Sequence, residues 1–150
     1  GTGSNSNEQE MPGFLPDRLE AGTHNVCGLA GLGAGLRFVR QKSPERILCH
    51  ERALMHRLLR RLREQENLRL FSGNDQTGVL SMQVKNMDCE EAARRLSAHG
   101  VAVRAGLHCA PLAHESADTL ETGTLRLSFS AFTQAQEVER FAELCKKLFP

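Results

Sequence analysis

The chain has almost no net charge: 19 lysine and arginine residues against 18 aspartate and glutamate give +1 at pH 7. A protein without an excess of either sign has no overall electrostatic pull toward nucleic acid or an anionic membrane. It has no CxxC pair, and its five cysteines (Cys27, Cys49, Cys89, Cys109, Cys145) are odd in number and irregular in spacing. That pattern argues against a disulfide framework and for reduced thiols, with a cytoplasmic location expected. No apolar run approaches the ~20 residues of a membrane span. The longest, Val26 to Val39, is broken by Gly28, Gly31, Gly33, Gly35 and Arg37. The N-terminus has neither the basic segment nor the apolar stretch of a signal peptide, and no Gly-Lys-Ser/Thr phosphate loop occurs.

What is present is ordinary for a soluble globular protein, with 40% hydrophobic and 25% charged residues. A length of 150 residues allows one full core and up to one and a half domains. Arginine makes up 15 of the 19 basic residues. It suits fixed, bidentate recognition of carboxylate or phosphate, although codon usage alone would produce the same excess.

Residues 1–16, rich in Gly, Ser, Asn and Glu, read as a flexible arm, and Gly1-Thr2-Gly3-Ser4 is equally compatible with an expression-vector scar. Residues 24–39 read as a helix, but each glycine inside a helix costs roughly 1 kcal/mol relative to alanine. So glycine-rich a helix implies that another backbone packs closely on it, and the rest of the chain offers little to do so. Ser43-Pro44-Glu45 has the chemistry of a helix start. An apolar stripe through Ile47, Leu54, Leu58 and Leu62 carries that helix to about Asn67. Arg57, Arg60, Arg61 and Arg63 lie along it, interleaved with acids and without aromatics, which favours a solvated face over a nucleic-acid surface.

Shorter elements follow. Strands are expected at 68–72, 78–84, 101–104 and 124–130, with a helix from Asp88 to a Gly100 stop and a last helix capped by Thr133. The expected organisation is residues 1–42 as an arm and Gly-rich helix, 43–67 as a connecting helix, and 68–150 as a compact α+β module.

The candidate chemistry concentrates in "RAGLHCAP", residues 104–111. Gly106 opens backbone angles closed to other residues and Pro111 restricts its predecessor, so Cys109 sits in a loop after Arg104 and His108. A cation beside a thiol favours thiolate over thiol. A small residue in a tight turn would produce the same pattern. Arg126 falls mid-strand on the polar face of "TLRLSFS", where a guanidinium either grips a carboxylate bidentately or simply faces water. Metal is not expected: His24-x-x-Cys27 has ligand spacing but no second pair, and Cys49/His50, His108/Cys109 and His114 do not supply one.

Taken together these stretches resemble the cysteine desulfurases of the class V aminotransferase family, which use pyridoxal phosphate. "VAVRAGLHCAP" resembles the family's mobile R-x-G-x-H-C-A loop, whose cysteine takes sulfur as a persulfide. "TGTLRLSFSAF" resembles the strand whose arginine holds the substrate carboxylate. "LEAGTHNVCGLAGLGAGLRFV" resembles the segment whose threonine, here Thr23, reaches the cofactor phosphate of the neighbouring subunit. "GTGS" resembles the end of a G-G-T-G-S stretch, which favours native sequence there.

The resemblance implies Cys109 as the catalytic thiol, Arg126 with Arg104 and His108 as substrate-binding residues, and Thr23 as a cofactor contact. It implies an α/β fold: the C-terminal part of a fold-type I pyridoxal-phosphate transferase, with two long helices preceding a small antiparallel or mixed sheet covered by helices. It also implies L-cysteine or a related amino acid as substrate, a homodimer, and a sulfur-acceptor protein, with no nucleic acid and no membrane. Lys42, Lys85, Lys146 and Lys147 do not match the family's Schiff-base lysine, so this chain alone is expected to be inactive. Leu107 stands where the best-known desulfurases carry a polar residue. A class V aminotransferase or lyase of other substrate, or a non-catalytic dimerisation module, remains open.

Overall fold

The computed structural model describes residues 7–20 and 22–150. Gly1-Thr2-Gly3-Ser4 and the start of the expected arm lie outside the described residues. The chain divides into two compact units between Ser43 and Pro44.

The first unit contains a short 3-10 turn, Asp17–Leu19, and helix α1, Val26–Lys42. Asn25 caps α1, its side-chain oxygen accepting the Gly28 N–H at 2.9 Å. That cap accounts for one glycine, because a Cβ on Gly28 would lie 2.4 Å from Asn25 Nδ2. No residue of α1 is buried. Val26, Leu29, Leu32, Leu36 and Val39 recur at helical spacing and stay at least 40% exposed.

The second unit runs in the order α2 (Pro44–Leu62), β1 (Leu68–Phe71), β2 (Val79–Val84), α3 (Cys89–Ser97), β3 (Arg104–Gly106), α4 (Pro111–Ser116), β4 (Thr124–Ser128) and α5 (Ala135–Leu148). The four strands form one sheet in the order β1-β2-β4-β3, antiparallel throughout. Strand alternation sends Leu68, Leu80, Met82, Val84, Leu125 and Leu127 to one face. There they share a core with Leu54, Met55, Leu58 and Leu62 of α2, Ala92 and Leu96 of α3, and Val138, Phe141, Ala142 and Cys145 of α5. Helix α2 is therefore part of this core. Two of its arginines, Arg57 and Arg61, pair with Glu139 of α5 at 3.3 and 3.0 Å.

Several boundaries differ from the sequence reading, each for a local reason. Asp88 caps α3 by accepting from the Glu90 and Glu91 N–H groups, but Glu91 turns to Arg94 and Arg95 instead of completing a capping box. The reciprocal box occurs on α5, where Gln134 and Glu137 form it. Thr133, expected as that cap, uses its hydroxyl to accept the Ser130 N–H at 3.0 Å. The strand expected at 101–104 forms at Arg104–Gly106, because Arg104 and Gly106 find β4 partners in Arg126 and Thr124. Part of the stretch read as irregular is thus an edge strand. Helix α4, absent from the sequence reading, begins at Pro111, a residue suited to a first helical turn.

Candidate active site

The sheet face opposite the core carries the polar residues. Register aligns Phe71, Ser81, Arg126 and Arg104 in one row across the four strands. Arg69 and Gln83 start the next row, which reaches Gly106 opposite Thr124. Helix α4 and the loop after it cover part of this face, where Ala113, His114, Ala117 and Thr119 line a cavity with Phe71, Ser81 and Thr124. Arg69 helps hold that cover, donating to the Ala117 carbonyl at 3.3 Å while its guanidinium lies 4.7 Å from the Phe71 ring centroid.

Arg104 and Arg126 thus stand directly opposite each other on adjacent strands. Like charges in that relation repel. Neither is in an ion pair among the described residues, and Arg126 Nε is buried without a hydrogen-bond partner. A buried guanidinium nitrogen left unpaired costs free energy, and an anionic ligand laid on it recovers that cost. This is the chemistry of a carboxylate-binding position.

Beside this pair the chain makes a tight turn. The Leu107 carbonyl accepts the Ala110 N–H at 2.9 Å, and the central residues His108 and Cys109 have φ of 54° and 59°. Positive φ at both central positions is the mark of a type I′ turn, which Asn-Gly pairs occupy most readily. Each non-glycine residue there costs about 1–2 kcal/mol. Gly106, at φ 105°, leads into it. The turn presents Cys109 to solvent. Cys27 and Cys49 are also exposed, whereas Cys89 and Cys145 are buried, and burial pushes the Cys145 thiol up to about 12.

His108 folds back onto the sheet, its Nε2 3.2 Å from the Thr124 hydroxyl. Burial, then the charge of Arg126, then His114 and Arg104 hold its pKa below the ordinary imidazole value. It is therefore a neutral ring near pH 7, and it does not supply the positive charge assigned to it from sequence. The cations nearest this ring are the two arginines, Arg126 and Arg104.

Sequence-predicted residues Arg104, His108, Cys109 and Arg126 thus gather at one end of the polar face. Thr23 is exposed in the first unit, two residues before the Asn25 cap. Among the described residues no group of three His, Cys, Asp or Glu side chains is placed to hold a metal, and His24 pairs with Glu20 at 2.8 Å. No helix among them is long and apolar enough to cross a membrane. A second cavity, of about 700 Å³, is lined by Arg69, Lys85 and Cys89 together with three carboxylates, Glu66, Asp88 and Glu121. Those acids make it a poor receptor for a phosphorylated cofactor. Sequence reasoning missed Thr119, Gly123 and the structural use of His114, although His114 and Gly123-Thr124 were visible close to the motif residues.

A family profile described as Aminotransferase class-V matches residues 4–141. The chain is 34% identical over 135 residues to a probable cysteine desulfurase of Mycobacterium leprae, covering 89% of this chain and 22% of that protein. It is 35% identical over 137 residues to a probable cysteine desulfurase of Pseudomonas putida, covering 89% and 33%. Among solved structures it resembles the apo cysteine desulfurase of Thermococcus onnurineus, with a TM-score of 0.80 and 33% identity over 89% of this chain and 34% of that one. A cysteine desulfurase of Escherichia coli gives 0.78 and 27%, covering 88% and 32%. The chain therefore spans between about a fifth and a third of the length of these relatives.

Proposed function

The chain belongs to the class V aminotransferase family, and on that premise we propose that it is the C-terminal portion of a pyridoxal-phosphate-dependent cysteine desulfurase. The observation that carries this reading is the buried, unpartnered Nε of Arg126, set beside a turn that presents Cys109. Its relatives' names, as probable cysteine desulfurases, point the same way.

On this reading the residues described here do not by themselves make up a pyridoxal-phosphate site. Lys42 closes α1, Lys85 follows β2, and Lys146 and Lys147 lie in the last turn of α5. None matches the Schiff-base position, and the cavity that holds Lys85 is acidic. We assign the cofactor's covalent anchor and cradle to segments outside this chain, with Thr23 as a phosphate contact toward the neighbouring subunit of a homodimer. On this reading the isolated chain is inactive. Borohydride reduction in the presence of pyridoxal phosphate should label no lysine site-specifically.

This chain's share of the reaction is capture of the carboxylate and acceptance of the sulfur. Arg126 takes the substrate carboxylate through charge-assisted hydrogen bonds, and Arg104 adds positive potential on the same row. Cys109 Sγ attacks the sulfur of L-cysteine. A sulfur–sulfur bond forms, the carbon–sulfur bond breaks with its electron pair going to carbon, and that carbon takes a proton. The products are alanine and a Cys109 persulfide, which balances the atoms of one cysteine and one thiol. The exposure of Cys109 leaves the persulfide open to an acceptor protein. The odd, unpaired cysteine set fits a reducing, cytoplasmic compartment.

The test uses the enzyme in which this chain is joined to its cofactor-binding portion. Cys109→Ala should still bind cysteine and release no alanine. Arg126→Ala should raise KM by roughly 30-fold or more, since loss of a desolvated charge-assisted contact costs about 2–5 kcal/mol. Full turnover in Cys109→Ala would overturn the desulfurase reading and leave the family assignment standing.

A further inference from the structure

The Cys109 turn is strained at two residues, and of its side chains only that of His108 hydrogen-bonds to the sheet. Something else must hold it. The connections on its C-terminal side form a closed circuit. The Ala110 carbonyl accepts the His114 N–H at 3.2 Å. The His114 ring reaches the Thr119 hydroxyl through Nδ1 at 2.8 Å. The Thr119 N–H returns to the His114 carbonyl at 2.8 Å, and the Thr119 carbonyl accepts the Gly123 N–H at 2.8 Å. Gly123 abuts Gly106, the residue that enters the turn, so closely that a Cβ on Gly123 would lie 3.1 Å from Gly106 Cα.

His114 and Thr119 are 6% and 2% exposed, so their hydrogen bond has no water to replace it. The His114 ring also stands 5.7 Å from the His108 ring, centroid to centroid. It is thus both the link that closes the circuit and part of the wall against which His108 is packed. We propose that His114, locked by Thr119, is the positioning residue of this site: a buried His–Thr clasp that fixes the turn bearing Cys109 and keeps His108 against Arg126.

The importance of Cys109 in this inference rests on the proposed desulfurase reading, but the clasp can be tested without turnover. In the chain as it stands, Thr119→Val keeps the shape and removes the hydroxyl, whereas Thr119→Ser keeps the hydroxyl. Released strain equal to one left-handed residue, about 1–2 kcal/mol, changes a population by roughly 5- to 30-fold. Thr119→Val should therefore speed amide exchange at Ala110 and His114 by that factor while exchange in β2 and β4 stays slow. The His108 ring, followed by NMR, should titrate closer to its ordinary value, because it loses its packing against His114. Thr119→Ser should restore both readings. A role limited to general stability would speed exchange across the whole unit and leave the His108 titration where it was.

Should Thr119→Val fail to fold, the unmutated chain still decides the matter. The Thr119 hydroxyl proton should be resolved from water and show a nuclear Overhauser contact to the His114 ring. A hydroxyl averaged with solvent overturns the clasp. So does a Thr119→Val chain with unchanged exchange at Ala110 and His114, or a Thr119→Ser chain as altered as the valine variant. Absence of cysteine desulfurase activity in the longer enzyme, with the clasp readings as expected, would instead remove only the functional reading.

Discussion

Gly123 and Gly100 offer a controlled comparison, because both have left-handed backbone, with φ of 62° and 76°, and only one is crowded. A methyl group on Gly100 meets nothing within 4 Å. On Gly123 it would lie 3.0 Å from Cys89 Sγ, 3.1 Å from Gly106 Cα and 3.2 Å from the Gly106 carbonyl carbon. Alanine at either position costs about 1–2 kcal/mol for the backbone conformation. Overpacking adds a further 1–3 kcal/mol, roughly, at Gly123 alone. Two of the three contacts there are backbone atoms, which cannot swing aside as a side chain does. In urea unfolding, where a small domain loses about 1–3 kcal/mol per molar denaturant, an extra ~2 kcal/mol lowers the midpoint by roughly 1 M. Gly123→Ala should therefore unfold about 1 M earlier than Gly100→Ala, with matching m-values. Equal midpoints would refute the argument that β4 and the entrance to the Cys109 turn are held together by this close approach.

Three other outcomes are expected. His108 has a depressed pKa in the folded chain; below its unfolded value, near 6.5, the unfolded chain binds the extra proton and stability falls with falling pH. Unfolding of the parent chain and His108→Gln at pH 7 and 5.5 should show the larger acid loss in the parent, and equal losses would remove His108 as the cause. With a limiting alkylating agent at neutral pH, Cys109 should label first, whereas Cys89 and Cys145, both buried with raised thiol pKa values, should label only as the unit unfolds. Early mass-spectrometric labelling of Cys145 would contradict its placement in the core. Arg104→Gln should stabilise the folded chain by a few tenths of a kcal/mol, because it relieves repulsion opposite Arg126, and the gain should shrink in high salt; a loss of stability at low salt would show that Arg104 has a favourable contact instead.

The periodic parts of the fold were legible in the sequence. Helix α2 carries a long apolar stripe, β4 alternates cleanly, and both elements reach the core through the residues that pattern selects. Helix ends were less legible, since Thr133 and Gln134 are both acceptable caps and the choice falls to which one Glu137 answers. Strand β3 was displaced because its position is set by pairing with β4, a non-local contact that propensity does not encode. At the site, "RAGLHCAP" and "TLRLS" marked the four residues that converge. Their electrostatics were not legible: His108 reads as a cation beside a thiol until its burial and the two neighbouring guanidiniums are seen. The clasp was hidden for another reason. His114 five residues after Cys109 looks like a stray ligand, and only the return of the chain at Thr119 gives its ring a hydrogen-bond partner.

The two faces of the sheet are related by more than geometry. One concentrates nearly all the favourable burial of the unit, with Leu58, Leu80, Met82, Leu96 and Leu125 at or near zero exposure. The other gathers the local conflicts: two opposed arginines without a carboxylate, an unpartnered Arg126 Nε, an unpartnered His108 Nδ1, and two non-glycine residues in left-handed backbone. Each conflict lowers stability by itself, and a chain selected for stability alone would remove it by one substitution, such as glycine at Cys109 or a neutral residue at Arg104. Full burial of a single leucine is worth about 1.5–3 kcal/mol, so a few such residues on the core face offset the whole set. Gln65 is also buried without a partner, but only on the face that a ligand can reach do unpartnered cationic and imidazole nitrogens coincide with a doubly left-handed turn, which marks where sequence has been fitted to chemistry rather than to folding. Because β4 contributes to both faces, Leu125 and Leu127 anchor the strand that carries Arg126 between them, and the core thereby sets the position of its guanidinium.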